Sequence, residues 1–184
     1  MNEGTTAKDS GMQKKVIVIG LAAVAIVALA VAVSRPGGEL PVAPGVRMKD
    51  LAGNDVTLEQ FRGQVVLVNF WATWCSPCQI EMPWFIAFQE KYGPRGLKVI
   101  GVAMDEEGKQ VVEPFLQKEE FDVDGRKMKV NYKIVLGDDA LAEKFGGLIG
   151  LPTTLVIDRN GRIVKRFIGL VSHDLIVKEI EGLL

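Results

Sequence analysis

The chain has 184 residues, with 22 basic and 23 acidic side chains, one histidine, two cysteines and 48% hydrophobic residues. A formal net charge of −1 excludes a nucleic-acid binder that works through bulk positive charge, and the large apolar share excludes a disordered or collagen-like chain. Two cysteines and one histidine exclude a disulfide-rich framework and a four-cysteine or histidine-cluster metal site, so any chemistry rests on very few groups.

In chain order, residues 1–15 form a short head that includes Lys8, Lys14 and Lys15. Val16 to Val33 is a run of 18 uncharged residues, apolar apart from Gly20. As a helix it would be roughly 27 Å long, enough to cross the hydrocarbon core of a bilayer. A cleaved signal peptide would have a shorter apolar region, although Ala28-Leu29-Ala30 and Ala30-Val31-Ala32 keep that alternative open. A buried helix of the globular domain is the third option, with nothing globular before it to pack on. The length favours a retained transmembrane signal anchor over 16–33, with the head in the cytoplasm and the rest exported. Pro36 to Leu184 carries 18 basic and 21 acidic groups, with no polybasic patch directed at anionic lipid.

Residues 34–45 hold Pro36, Gly37, Gly38, Pro41, Pro44 and Gly45, a helix-breaking, flexible tether. Residues 46–184 read as a single α/β domain. Met48-Lys49-Asp50 and Val56-Thr57-Leu58 flank Gly53-Asn54-Asp55, a hairpin signal. Val65 to Trp71 and Leu97 to Met104 are short apolar runs of the kind buried on both faces of a sheet. Gln79 to Tyr92 has helical spacing, as does Lys109 to Lys118, whose middle Pro114 disturbs. Lys127, Lys129, Asn131 and Lys133 alternate with Met128, Val130, Tyr132 and Ile134, which predicts one strand with one wet face. Asp138 is placed to cap a helix that ends at Phe145-Gly146-Gly147. Arg159-Asn160-Gly161 is a strong hairpin signal between Thr153–Ile157 and Arg162–Ile168, and Ser172 opens a last helix. The alternation of types predicts a central mixed sheet with helices on both faces.

The cysteines stand in Trp74-Cys75-Ser76-Pro77-Cys78, directly after an apolar strand and at the mouth of a helix. Unpaired N–H groups and the positive end of the helix dipole stabilise a thiolate there. A three-residue offset brings the second sulfur within bonding reach, and Pro77 fits a first turn where its missing N–H costs nothing. A reversible redox pair is the leading reading. A static disulfide staple would constrain the unfolded chain little across so small a loop, and half a zinc site lacks two ligands.

The run Val68-Asn69-Phe70-Trp71-Ala72-Thr73-Trp74-Cys75-Ser76-Pro77-Cys78, with Glu81-Met82-Pro83 behind it, resembles the active-site segment of the thioredoxin-like TlpA/ResA family. Gly150-Leu151-Pro152-Thr153-Thr154 with Ile157-Asp158-Arg159-Asn160-Gly161 resembles its second signature, and Pro152 lies 77 residues after Cys75. The likeness covers roughly 44–184. It implies a thioredoxin-like fold and membrane-anchored thiol-disulfide oxidoreductase activity, with the Cys75–Cys78 disulfide as redox centre and neither cofactor nor metal.

By the same resemblance Cys75 is an exposed nucleophile, Cys78 a buried resolving thiol, and Pro152 part of a cis-proline loop that presents backbone to a bound peptide. Trp74, Ser76, Pro77 and Leu151 join Pro152 in contacting substrate. Ordinary thioredoxins carry a buried Asp where this chain has Asn69, which cannot titrate. The resemblance therefore assigns proton handling to Glu81, three residues after Cys78, with its pKa raised by burial; the alternative is a solvated helix carboxylate. The implied partners are disulfide-containing exported proteins, with apocytochrome c a common client in the family, and a membrane thiol reductase as electron donor. A thiol peroxidase on the same fold and a metal or haem-protein chaperone using the sulfurs as ligands are the alternatives. His173 reads as an exposed residue, Asp138-Asp139 as a helix cap, and Asp122-Val123-Asp124-Gly125 as a turn. Residues 121–128 are longer than the family's usual connection and read as an inert loop, with a wider partner-docking surface as the other option.

Overall fold

The computed structural model describes residues 46–184; the expected head, anchor over 16–33 and tether over 34–45 lie outside the described residues. The first two strands, β1 (Arg47–Asp50) and β2 (Asp55–Thr57), form the expected hairpin. The Asp50 carboxylate closes its turn by accepting from the Ala52 and Asn54 amides at 3.0 and 2.9 Å. A short 3-10 turn over Leu58–Phe61 leads to β3 (Val65–Trp71), which is buried at every position. The helix α1 (Ser76–Tyr92) follows, then β4 (Leu97–Ala103), parallel to β3 from Val65 beside Leu97 to Trp71 beside Ala103.

Next come α2 (Lys109–Lys118), a small separate hairpin of β5 (Phe121–Val123) and β6 (Arg126–Met128), then β7 (Lys133–Leu136). The helix α3 (Asp139–Lys144) is capped by Asp138, whose carboxylate accepts from the Leu141 amide at 2.6 Å. The chain closes with β8 (Thr153–Ile157), β9 (Ile163–Ile168) and α4 (His173–Leu183). Ser172 stands at the N-cap of α4, but its hydroxyl makes no capping bond. The main sheet has seven strands in the order β2-β1-β7-β4-β3-β8-β9. Its centre, β7-β4-β3, is parallel; the outer pairings are antiparallel.

Strand alternation sorts the core into two faces. Val65, Leu67, Trp71 and Val99 pack with α1 residues Met82, Phe85 and Ile86, with Val112 of α2 and with Ile176 and Ile180 of α4. On the other face Val66, Val68, Phe70, Ile100 and Val102 meet Leu58, Leu141 and Phe145. Each such fully buried aliphatic or Phe side chain contributes about 1.5–3 kcal/mol. The sheet is therefore mixed and covered on both faces, as expected.

The predicted single strand over 127–134 is not found. Its residues are divided between β6, which pairs only with β5, and β7, which pairs with β4 and β1. The alternation in exposure is real, since Tyr132 and Ile134 are buried and Lys129 and Asn131 exposed. Alternation reports which side of the chain is covered and says nothing about which partner takes the backbone bonds. Between the strands, Lys129 donates to the Gln117 and Lys118 carbonyls at the end of α2, and Asn131 donates to the Ile86 carbonyl. Residues 121–128, read as a loop, form the β5–β6 hairpin. Val123 is buried, and Arg126 makes a two-pronged ion pair with Glu90 of α1 at 2.7 and 3.1 Å.

The second edge hairpin, β8–β9, turns at Asn160-Gly161 with Gly161 at φ +75°, and its register shifts between Val156 and Ile157. Asp158 fixes that turn through the Asn160 and Arg162 amides at 2.9 and 2.8 Å.

Gly101 is the one break in the apolar face of β4. A Cβ there would lie 2.7 Å from Ile134 Cδ1, 3.0 Å from Trp71 Nε1 and 3.2 Å from a Tyr132 ring carbon. Gly101→Ala is expected to lower stability by about 1–3 kcal/mol through overpacking. Urea unfolding checks this: the midpoint should fall with the slope unchanged, and an unmoved midpoint would contradict the tight approach.

Candidate active site

The site grows from the end of β3. Beyond Trp71 the chain turns at 72–75, where the Cys75 amide donates to the Ala72 carbonyl at 3.1 Å, and α1 begins at Ser76. Cys75 is the N-cap of that helix. Its carbonyl accepts from the Cys78 and Gln79 amides at 3.0 and 3.2 Å, and its sulfur lies 3.3 Å from the Cys78 nitrogen. No acidic residue sits in the first turn to oppose negative charge on the sulfur. Cys75 and Cys78 are joined as a disulfide with their Cα atoms 5.3 Å apart.

The resemblance implied an exposed Cys75. In this oxidised form it is 4% exposed and Cys78 1%. Both cysteines pack with the core beneath α1. Solvent instead meets Trp74, 69% exposed, and Ser76; Pro77 is half-buried.

Glu81 is 1% exposed, so the solvated-carboxylate alternative fails. One oxygen, Oε2, lies 3.5 Å from the Asn69 side-chain amide, and Oε1 has no hydrogen-bond partner among the described residues. Burial pushes the carboxyl up to about 7, against the smaller pull of the Val171 backbone N–H and the Asn69 amide, which favour the charged form. Asn69 also donates to Thr154 Oγ1 at 3.0 Å, across the β3–β8 pair. Burial, with the Glu81 charge adding, holds the Tyr132 phenol well above its usual range.

Pro152 reaches the same end of the sheet. The β3–β8 register ends at Phe70 beside Thr153, which sets buried Pro152 level with Trp71. The Leu151–Pro152 peptide bond is cis, as the resemblance implied, and Leu151 is half-buried against the core. Gly169, in the β9–α4 connection, donates to the Pro152 carbonyl at 2.7 Å. Three apolar side chains on the surrounding loops face water: Trp74, Ile149 (86% exposed) and Leu170.

Ile149, Leu170, Thr154 and Asp105 were not singled out from the sequence. Asp105, two residues past β4, binds Thr73 in the turn before Cys75. The signal available was positional: a carboxylate just beyond a strand parallel to the one that carries the cysteines. His173 is exposed as expected, with its ring against Trp84 and Phe88 and Nδ1 3.0 Å from Asp174. Among the described residues no group of three or more His, Cys, Asp or Glu side chains is arranged to hold a metal ion.

The Redoxin family pattern matches residues 37–184. The chain is 31% identical over 141 residues to the thiol-disulfide oxidoreductase ResA of Geobacillus thermodenitrificans, a match that covers 77% of this chain and 75% of the relative. It is 32% identical over 127 residues to the ResA of Bacillus thuringiensis subsp. konkukian, covering 69% and 68%. The fold is similar to the crystal structure of a thiol:disulfide interchange protein DsbE from Chlorobium tepidum, with TM-score 0.68 and 25% identity over 80% of this chain and 99% of that one. The architecture is thus the thioredoxin-like one. The chain belongs to the Redoxin family, and within it to the thiol-disulfide oxidoreductases.

Proposed function

We propose that this oxidoreductase works as a reductant of disulfides in exported proteins. The observation that carries the reading is the Glu81 carboxyl, 1% exposed and one helical turn beyond Cys78, where burial raises its pKa. In the reduced domain the Cys75 thiolate attacks one sulfur of a client disulfide, forms a mixed disulfide and releases the first client thiolate. Cys78 gives its proton to the Glu81 carboxylate and attacks the Cys75 sulfur. The second client thiolate leaves, and the Cys75–Cys78 disulfide forms. Two electrons have passed to the client.

Pro152 and Leu151 offer backbone to the client chain, while Trp74, Ser76 and Pro77 border the sulfurs. Ile149 and Leu170, exposed on neighbouring loops, extend the same apolar rim. The anchor over 16–33 holds the domain on the extracytoplasmic side of the membrane. There a membrane thiol reductase returns two electrons at high effective concentration. Apocytochrome c, whose haem-attachment cysteines must be reduced, is the proposed client.

Cys78→Ser should trap a client as a mixed disulfide on Cys75, visible as a shifted band that dithiothreitol removes. Absence of the adduct would exclude Cys75 as nucleophile.

Glu81 predicts a pH profile with a definite sign. Below about 7 the carboxyl holds its proton and cannot take another; above it the carboxylate can. Resolution of the mixed disulfide should accelerate through pH 7. Glu81→Gln should flatten that rise and slow resolution by roughly a hundredfold or more at pH 8. Stopped-flow release of client thiol reads it, and an unchanged profile would remove Glu81 from the reaction.

The same residue makes a stability prediction. Between 4.5, its ordinary value, and about 7 the folded state keeps a proton that the unfolded chain releases. Stability should therefore fall as pH rises through this window, by on the order of 3 kcal/mol, and level off above it. Glu81→Gln should lose this slope in denaturant titrations of the oxidised protein.

A further inference from the structure

The turn that delivers Cys75 to the N-cap of α1 is held from outside by Asp105. Because Trp71 lies beside Ala103 in the parallel β3–β4 pair, the chain just past β4 runs beside the chain just past β3. The Met104 amide continues the ladder to the Trp71 carbonyl at 2.8 Å. One residue further, the Asp105 carboxylate, 3% exposed, meets Thr73. Both carboxylate oxygens lie 3.1 Å from the Thr73 amide, and the Thr73 hydroxyl donates to Oδ1 at 2.5 Å. The remaining polar atom of Thr73, its carbonyl, accepts from the Gln79 side chain at 2.7 Å. Every polar group of Thr73 is thus taken by a side chain from outside the turn, two residues before the sulfur.

A buried carboxylate is costly unless its partners satisfy it, and hydrogen bonds to a charged acceptor are the short, strong kind. The arrangement does more than shape a loop. The turn at 72–75 sets the Cys75 sulfur 3.3 Å from the Cys78 N–H at the positive end of α1, the environment that favours its thiolate.

We propose that Asp105 is a positioning residue for thiol-disulfide exchange: its grip on Thr73 fixes the turn that aims the Cys75 sulfur at the start of α1. Asp105 touches no reacting atom. The proposal rests on the reading of Cys75 as the activated nucleophile, and the test separates the two.

The test is the pH dependence of alkylation of the reduced, full-length protein by iodoacetamide, with thermal melts in parallel. Wild type, Asp105→Ala, Asp105→Asn and Thr73→Val are compared. Wild-type Cys75 should react at neutral pH as a thiolate with a lowered pKa; if it does not, the nucleophile reading itself falls. Given a reactive wild type, Asp105→Ala should move the profile upward by about one pH unit, a roughly tenfold slower reaction below the midpoint. Asn can still accept from the Thr73 amide and donate to its hydroxyl, so Asp105→Asn should return the rate to within about threefold of wild type. Thr73→Val loses only the hydroxyl bond and should fall between. Should Asp105→Ala not fold, the order wild type, Asp105→Asn, Thr73→Val decides alone. Profiles that superimpose on wild type for the variants that fold, whatever their melting temperatures, would overturn the proposal and leave Asp105 a structural residue.

Discussion

A parallel pair of strands buried on both faces must end somewhere, and where it ends its backbone groups lose their ladder partners without gaining water. β3 and β4 end side by side at Trp71 and Ala103. The few residues beyond them therefore need partners supplied by the fold. On the β3 side the need is met by a helix capped by Cys75 and by Asp105 from the neighbouring strand's extension. The sulfur pair stands at this junction, where helix N–H groups are available and the buried sheet gives rigid support. The chemistry and the termination of the sheet are solved by the same residues.

A second consequence of that burial is electrostatic. α1 lies flat on the face that carries Asn69, so a carboxyl three residues after Cys78 is carried into the interior. Desolvation outweighs the two hydrogen-bond donors near it, and Glu81 is left with a proton affinity suited to neutral pH. Asn69 contributes because it cannot ionise. A second acid on β3 would compete for the same proton, whereas an amide supplies a donor to Glu81 and another to Thr154.

The strands and helices that could be read from the chain were those in which one local pattern decides the outcome. Val65–Trp71 is apolar at every position but Asn69 because it is covered on both sides. Asn160-Gly161 needs a left-handed glycine, and Asp138 caps through its own side chain. Residues 127–134 misled because alternation is a property of one chain, while strand identity belongs to a pair; the Asp124-Gly125 turn gave β6 a local partner in β5. At the site, the spacing put Glu81 beside Cys78 and the resemblance implied its burial, but the hydrogen bonds from Val171 and Asn69 that oppose the shift come from other elements of the fold. The covering of Cys75 depends on the core packed under α1, and the grip of Asp105 on Thr73 follows from strand register. A linear pattern contains neither.

The two outermost strands have a meaning of their own for a protein that exchanges disulfides with other proteins. β2 is three residues long, with Asp55 tied to Arg47 and Lys49. β9 carries Lys165 and Arg166 in its middle and loses register with β8 near the far end. Brevity, charge and an irregular ladder each discourage a foreign strand from adding to a sheet. A foreign extended chain thus finds no flat template along the flanks of the main sheet on which to aggregate.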